Sequence, residues 1–172
     1  MKKSIFTLLF VAIGGMTMFA AQPKIWLLGD GTMAGWGKAF AEQVGATVEV
    51  KNIAQEGLSM KVLDEMGGLD SLIVDKTKKD FLLVQLGQND LNETNLDTYS
   101  SLDDFTQKLV ALLHAAEKKK MMVILCTPLA HPYYKEGVLI DRLGGYAEAV
   151  RRVAISLDVP LIDLEASSHE WI

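Results

Sequence analysis

From residue 24 onward, short apolar runs alternate with stretches of helical spacing. Lys24 to Leu28 is apolar and reads as a first strand. Trp36 to Val44 has helical character, and Gly45 suits its stop. Thr47 to Ile53 alternates and is rich in β-branched residues, the pattern of a second strand. Ser59 suits the cap of a short helix through Met66. Asp80 to Leu86 is nearly continuous apolar sequence, as expected for a strand buried on both faces. Leu102 to Lys119 then places Phe105, Leu109, Leu112, Leu113 and Ala116 on one side of a helix. The run Lys118-Lys119-Lys120 suits the carboxyl end of that helix better than a binding patch. Met121 to Cys126 is a fourth strand, closed by Thr127-Pro128, and Leu129 to Gly137 reads as a loop. A helical pattern from about Ile140 to Leu157, a short fifth strand at Val159 to Asp163 and a helix start at Leu164 complete the order.

This alternation predicts an α/β fold: one three-layer α/β/α sandwich around a five-stranded parallel sheet, with right-handed crossovers. In such sheets the ligand crevice lies at the carboxyl ends of the strands. Three loops start there: Gly29-Asp30-Gly31-Thr32-Met33, Asn52-Ile53-Ala54-Gln55-Glu56-Gly57 and Gly87-Gln88-Asn89-Asp90.

Composition narrows the classes. The chain has 172 residues, 49% hydrophobic and 23% charged, which suits one domain with an ordinary core. Its formal charge is −5, and two of its basic residues are Lys2 and Lys3, so the remainder is more acidic still. That balance argues against nucleic acid or an anionic membrane as partner. Lys2-Lys3, the apolar run Ile5 to Phe19 and Ala20-Ala21 read as a signal peptide over residues 1–21 and imply a secreted or periplasmic protein. An uncleaved anchor is the alternative, and no cysteine near the junction points to a lipid anchor. Cys126 is the only cysteine, so no intramolecular disulfide forms, and its apolar strand predicts a buried thiol. No cluster has metal-ligand spacing, and no cofactor is implied.

The three loops resemble blocks one to three of the SGNH (GDSL-type) hydrolases, in order and in placement at strand ends. The closest similarity is to the rhamnogalacturonan acetylesterase-like branch, whose first block reads Gly-Asp-Ser-Thr-Met. The stretch from Ile124 through Thr127-Pro128, Tyr146, Val150-Arg151-Arg152-Val153-Ala154 and Pro160-Leu161-Ile162-Asp163-Leu164 is similar too. In that family a block-one serine attacks an ester. Its amide, a block-two glycine amide and a block-three asparagine hold the oxyanion, and a late Asp-x-x-His supplies the base. Carried over by position, the resemblance makes Gly57 and Asn89 oxyanion-hole residues and puts Gly31 at the nucleophile position. Asp30, Thr32 and His131 are candidates for binding at the same crevice.

Two departures follow. Gly31 has no hydroxyl, so no acyl-enzyme forms there. The family's Asp-x-x-His is expected some tens of residues beyond Asp163, whereas the sequence ends at Ile172, and the residue three before His169 is Ala166. A threonine nucleophile needs an adjacent base, and none is visible beside Thr32. His114 reads as structural or solvated. Trp26 and Trp36 read as core. Tyr133 and Tyr134 face either a ligand or the sheet edge.

The sequence therefore predicts a carbohydrate-esterase homologue without measurable turnover. Its partner would be an acetylated oligosaccharide or another small ester. A non-catalytic glycan-binding module and a fragment of a truncated esterase gene, the domain running from 24 to 172, are the alternatives. The oligomeric state is left open.

Overall fold

The computed structural model describes residues 22–74, 79–130 and 132–169, with the side chains of Pro132, Leu139 and His169 left aside. The signal-peptide reading of residues 1–21 and the binding role given to His131 lie outside the described residues.

The parallel sheet is built from β1 (Lys24–Gly29), β2 (Glu49–Asn52), β3 (Phe81–Gln85), β4 (Met122–Cys126) and a late strand (Leu161–Ile162). That late strand is β7, because a hairpin of β5 (Pro132–Lys135) and β6 (Val138–Asp141) precedes it. The helices are α1 (Gly31–Val44), α2 (Met60–Glu65), α3 (Leu69–Leu72), α4 (Leu102–Lys118), α5 (Gly144–Ser156) and α6 (Leu164–His169). Strand order is β2-β1-β3-β4-β7, with every pairing in this sheet parallel. The order reverses at β1, and the crevice rule places ligands between β1 and β3.

The sheet divides two apolar clusters. On one face Trp26, Leu28, Leu82, Val84 and Leu125 pack with α2, α4 and α5. On the other, Ile25, Leu27, Phe81 and Leu83 pack with Met33 and Val44 of α1. The stripe predicted for α4 is buried throughout. Cys126 is buried too, and desolvation pushes its thiol up to about 12, so it stays protonated and inert. Trp26 is buried with its indole N–H donating 2.9 Å to Asp80. Lys119 is drawn to Asp70 of α3, as expected for a solvated helix end. His114 is exposed.

Three local features differ from the sequence reading. Helix α1 begins at Gly31, five residues before the expected Trp36, because the Asp30 side chain caps its first turn and outweighs the poor helix propensity of Gly31 and Gly35. The segment expected as loop and then helix contains the β5–β6 hairpin, which turns at Glu136 and Gly137, both with positive φ. This is the backbone of a type I′ turn. Consequently α5 starts at Gly144, not near Ile140. Tyr133 and Tyr134 lie on this hairpin, both exposed, with Arg142 stacked over the Tyr133 ring.

The outer edge of the sheet is thin. β7 pairs with β4 only at Leu125–Leu161 and Cys126–Ile162. Beside it lies a groove of about 970 Å³ lined by Phe81, Met122, Ile124, Pro160 and Ile162 among others, and Met122 is 54% exposed. This groove sits at the amino end of β4, opposite the crevice. Among the described residues no helix is long and apolar enough to cross a membrane.

Candidate active site

The turn after β1 sets the floor of the site. Asp30 is buried and accepts a hydrogen bond from the Thr32 amide at 2.9 Å, and the Thr32 hydroxyl donates to the same oxygen. The Thr32 hydroxyl is thus turned toward the cap, and Asp30 positions the turn. Gly31 opens α1, where a first-turn amide has no intrahelical acceptor. Its φ is not in the left-handed region, and it is exposed. A Cβ there would lie 3.5 Å from Cγ and 3.6 Å from Cα of Glu56, ordinary contact distances. Neither backbone nor packing demands glycine at position 31.

The block-two loop is tied along the end of β1. Ile53 donates to the Leu27 carbonyl at 3.0 Å and Gln55 to the Gly29 carbonyl at 2.9 Å. These bonds carry Glu56 and Gly57 alongside Gly31. Gly57 has φ +79, a conformation that favours glycine, and a Cβ there would meet nothing within 4 Å. Its requirement is conformational. Asn89, in the loop after β3, donates from Nδ2 to the Leu58 carbonyl at 2.9 Å. The amide carries a second proton. Gly31, Gly57 and Asn89 are therefore linked through Glu56 and Leu58 into one continuous rim.

Beneath that rim lies a buried polar layer. Asp90 is fully buried and accepts from the Met60 amide at 2.9 Å. Its backbone carbonyl and that of Ser100 both accept from the Tyr146 hydroxyl, at 3.1 and 2.7 Å. Burial pushes the Asp90 carboxyl up to about 6, and the Asp30 carboxylate adds in the same direction, while Ser100 and the Met60 amide favour the charged form. Burial likewise pushes the Tyr146 phenol up to about 12, with Asp90 contributing. Gln85, also buried, accepts from the Trp36 indole at 2.8 Å. Together these groups hold the loops after β2 and β3 to β3, α1 and α5.

The β4–β7 end is organised differently. Arg151 of α5 donates through Nε and Nη2 to both oxygens of Asp163, each at 2.8 Å, and also to Glu165. Thr127 donates to Asp163 at 3.0 Å and accepts from the Glu165 amide at 2.8 Å. The Arg151 guanidinium holds the Asp163 carboxyl below its ordinary value, and the two acids raise the arginine further above its own. These acids clamp α5 to the start of α6. Among the described residues no group of three metal-ligating side chains converges.

The positional reading of the sequence brings Gly31, Gly57, Asn89, Asp30 and Thr32 to one end of the sheet. It missed Glu56, which lies against Gly31, and the Arg151 clamp. Glu56 was visible as an acid inside the block-two loop, but its contact with Gly31 spans 25 positions and appears only when the loops pack.

The sequence profile of the GDSL-like Lipase/Acylhydrolase family matches residues 19–171. Two Bacillus subtilis (strain 168) proteins are similar. The rhamnogalacturonan acetylesterase RhgT is 32% identical over 156 residues, covering 84% of this chain. The probable rhamnogalacturonan acetylesterase YesY is 29% identical over 151 residues, covering 87%. The alignments take in 66% and 70% of the length of those relatives. Among solved structures, the acetyl xylan esterase AlAXEase superposes with a TM-score of 0.70 at 22% identity, covering 84% of this chain and 79% of its own. This last likeness is one of fold.

Proposed function

The chain belongs to the GDSL-like lipase/acylhydrolase family, and on that premise we propose that it is a carbohydrate-acetylesterase homologue that holds acetyl esters without forming an acyl-enzyme. The observation that carries this reading is the continuous rim of Gly31, Glu56, Gly57, Leu58 and Asn89. On this reading the Gly31 and Gly57 amides and the second Asn89 proton serve one carbonyl oxygen, as stabilising the charge it gains requires. The ligand class is an acetylated oligosaccharide, the substrate type named for the relatives. A secreted or periplasmic setting, where polysaccharide is met, belongs to the same reading and rests on Lys2-Lys3 and Ile5 to Phe19.

Loss of a serine nucleophile alone leaves about 10³- to 10⁴-fold acceleration over water in serine proteases, from the oxyanion hole and binding. Here the covalent route has no atom to start from at position 31. Mixing the protein with 4-nitrophenyl acetate is expected to give no burst of nitrophenol and no acetyl adduct by intact mass. A stoichiometric burst with an adduct would overturn the reading.

A further inference from the structure

We propose that Glu56 is a general base for direct attack of water on an ester bound in this crevice, giving the protein a slow, non-covalent acetyl-hydrolase activity. The inference rests on the crevice reading above for the pose of the ester and departs from the turnover expected from sequence alone.

Three observations support it. First, residue 31 is exposed, and the three atoms nearest the position a Cβ would take there all belong to Glu56, its Cγ at 3.5 Å. Second, the carboxylate lies one bond beyond that Cγ and is exposed, so a water near the Gly31 Cα falls within its reach. Third, Gln55 is pinned to the Gly29 carbonyl, so the backbone bearing Glu56 is fixed to the turn bearing Gly31. Of the titratable residues elsewhere at this end of the sheet, Asp30 is turned into the α1 cap, Asp90 is buried under the loops, and Asp163 and Glu165 are held by Arg151.

In the step itself, the ester carbonyl oxygen sits against the Gly31 and Gly57 amides and the second Asn89 proton. Glu56 removes a proton from water as the water oxygen bonds to the carbonyl carbon. The carbonyl π pair moves onto its oxygen, where the donors hold it. Collapse of this tetrahedral anion breaks the bond to the alcohol oxygen, and that oxygen takes the proton back from Glu56. Ester and water become acetic acid and alcohol, and Glu56 returns as a carboxylate. No bond to the protein forms.

The test uses the full chain with 4-nitrophenyl acetate as probe. Release above the buffer rate is expected, linear from the first turnover, with a solvent deuterium isotope effect. Glu56→Gln is expected to lower the rate about 10²-fold, the lower end of what a positioned general base supplies. Gly31→Ala, whose methyl group fits but occupies the site of the attacking water, is expected to lower it at least tenfold with unchanged melting. Release no faster than buffer, a Glu56→Gln rate equal to wild type, or an acetyl adduct would each overturn the proposal. Calorimetry with acetylated rhamnogalacturonan oligosaccharide separates two failures. Binding without hydrolysis removes the role of Glu56 and keeps the crevice, whereas absence of binding to wild type removes the crevice reading itself.

Discussion

The two ends of the crevice solve different problems with the same kinds of residue. At the β1–β3 end, Asp30 and Asp90 are buried to hold loops in place, and the rim above them is backbone with the Asn89 amide and the exposed Glu56 side chain. At the β4–β7 end, two acids are engaged by Arg151. The Gly31 amide opens a helix capped by Asp30, and the loop bearing Gly57 is tied to β1 by backbone hydrogen bonds, so both are set without reference to the side chain at position 31. A role that needs a hydroxyl at position 31 has no atom to perform it in glycine.

The contrast extends to the carboxylates. Asp163 is stabilised as an anion by Arg151, whereas Asp90 is penalised as an anion by burial. Asp163 therefore supports the fold at neutral pH, and that support is lost as pH falls through its lowered folded-state value. Asp90 acts in the opposite sense. The folded protein keeps its proton to about 6, while the unfolded chain gives it up near 3.8, so stability falls as pH rises between those values.

The largest expected effect comes from breaking the clamp. Arg151→Met removes the cation shared by Asp163 and the buried Glu165 and is expected to cost about 3 kcal/mol. That is the lower end for removing one partner of a buried pair, because Asp163 is partly solvated. Urea denaturation at neutral pH checks it, and a loss below about 0.5 kcal/mol would show that the clamp is ornamental. Next is Asp90→Asn, which keeps an acceptor for the Met60 amide and removes the charge. Wild-type stability should drop by about 2 kcal/mol between pH 4 and pH 7, following the conversion of a pKa gap to free energy, and the variant should lack that slope. Denaturation series across this range compare the two. Gly57→Ala should cost about 1 kcal/mol through its left-handed backbone alone, since nothing crowds the new methyl group. Its melting temperature and its affinity for acetylated glycan should fall together. The smallest effect is Gly31→Ser, within about 0.5 kcal/mol of wild type by thermal melting, because the site accepts a Cβ at ordinary contact distance.

Much of this organisation was legible in the sequence. The five strands, the buried stripe of α4 and the Ser59 cap follow from local periodicity and capping chemistry. The three loops were placed at one end because parallel strands must all point the same way. Elements that depend on contacts between distant positions were not legible. Arg151, Asp163 and Glu165 come from separate elements, and nothing in their spacing predicts a shared salt bridge. The β5–β6 hairpin was hidden because its turn is Glu136-Gly137, weaker than Asn-Gly or Asp-Gly. Val138-Leu139-Ile140 also runs on toward a helical pattern, so no clear break marks the strand. The early start of α1 was hidden by its glycines, whose low propensity the Asp30 cap overrides.

The proposed function stands on a backbone-made frame for a carbonyl oxygen beside Gly31. Calorimetry of the wild-type protein with one rhamnogalacturonan oligosaccharide in acetylated and deacetylated forms reads that frame out. Heat of binding is expected for the acetylated form, weaker or no binding for the deacetylated form, and loss of the difference in Gly57→Ala. Equal binding of both forms, or a preference that Gly57→Ala leaves intact, would contradict it.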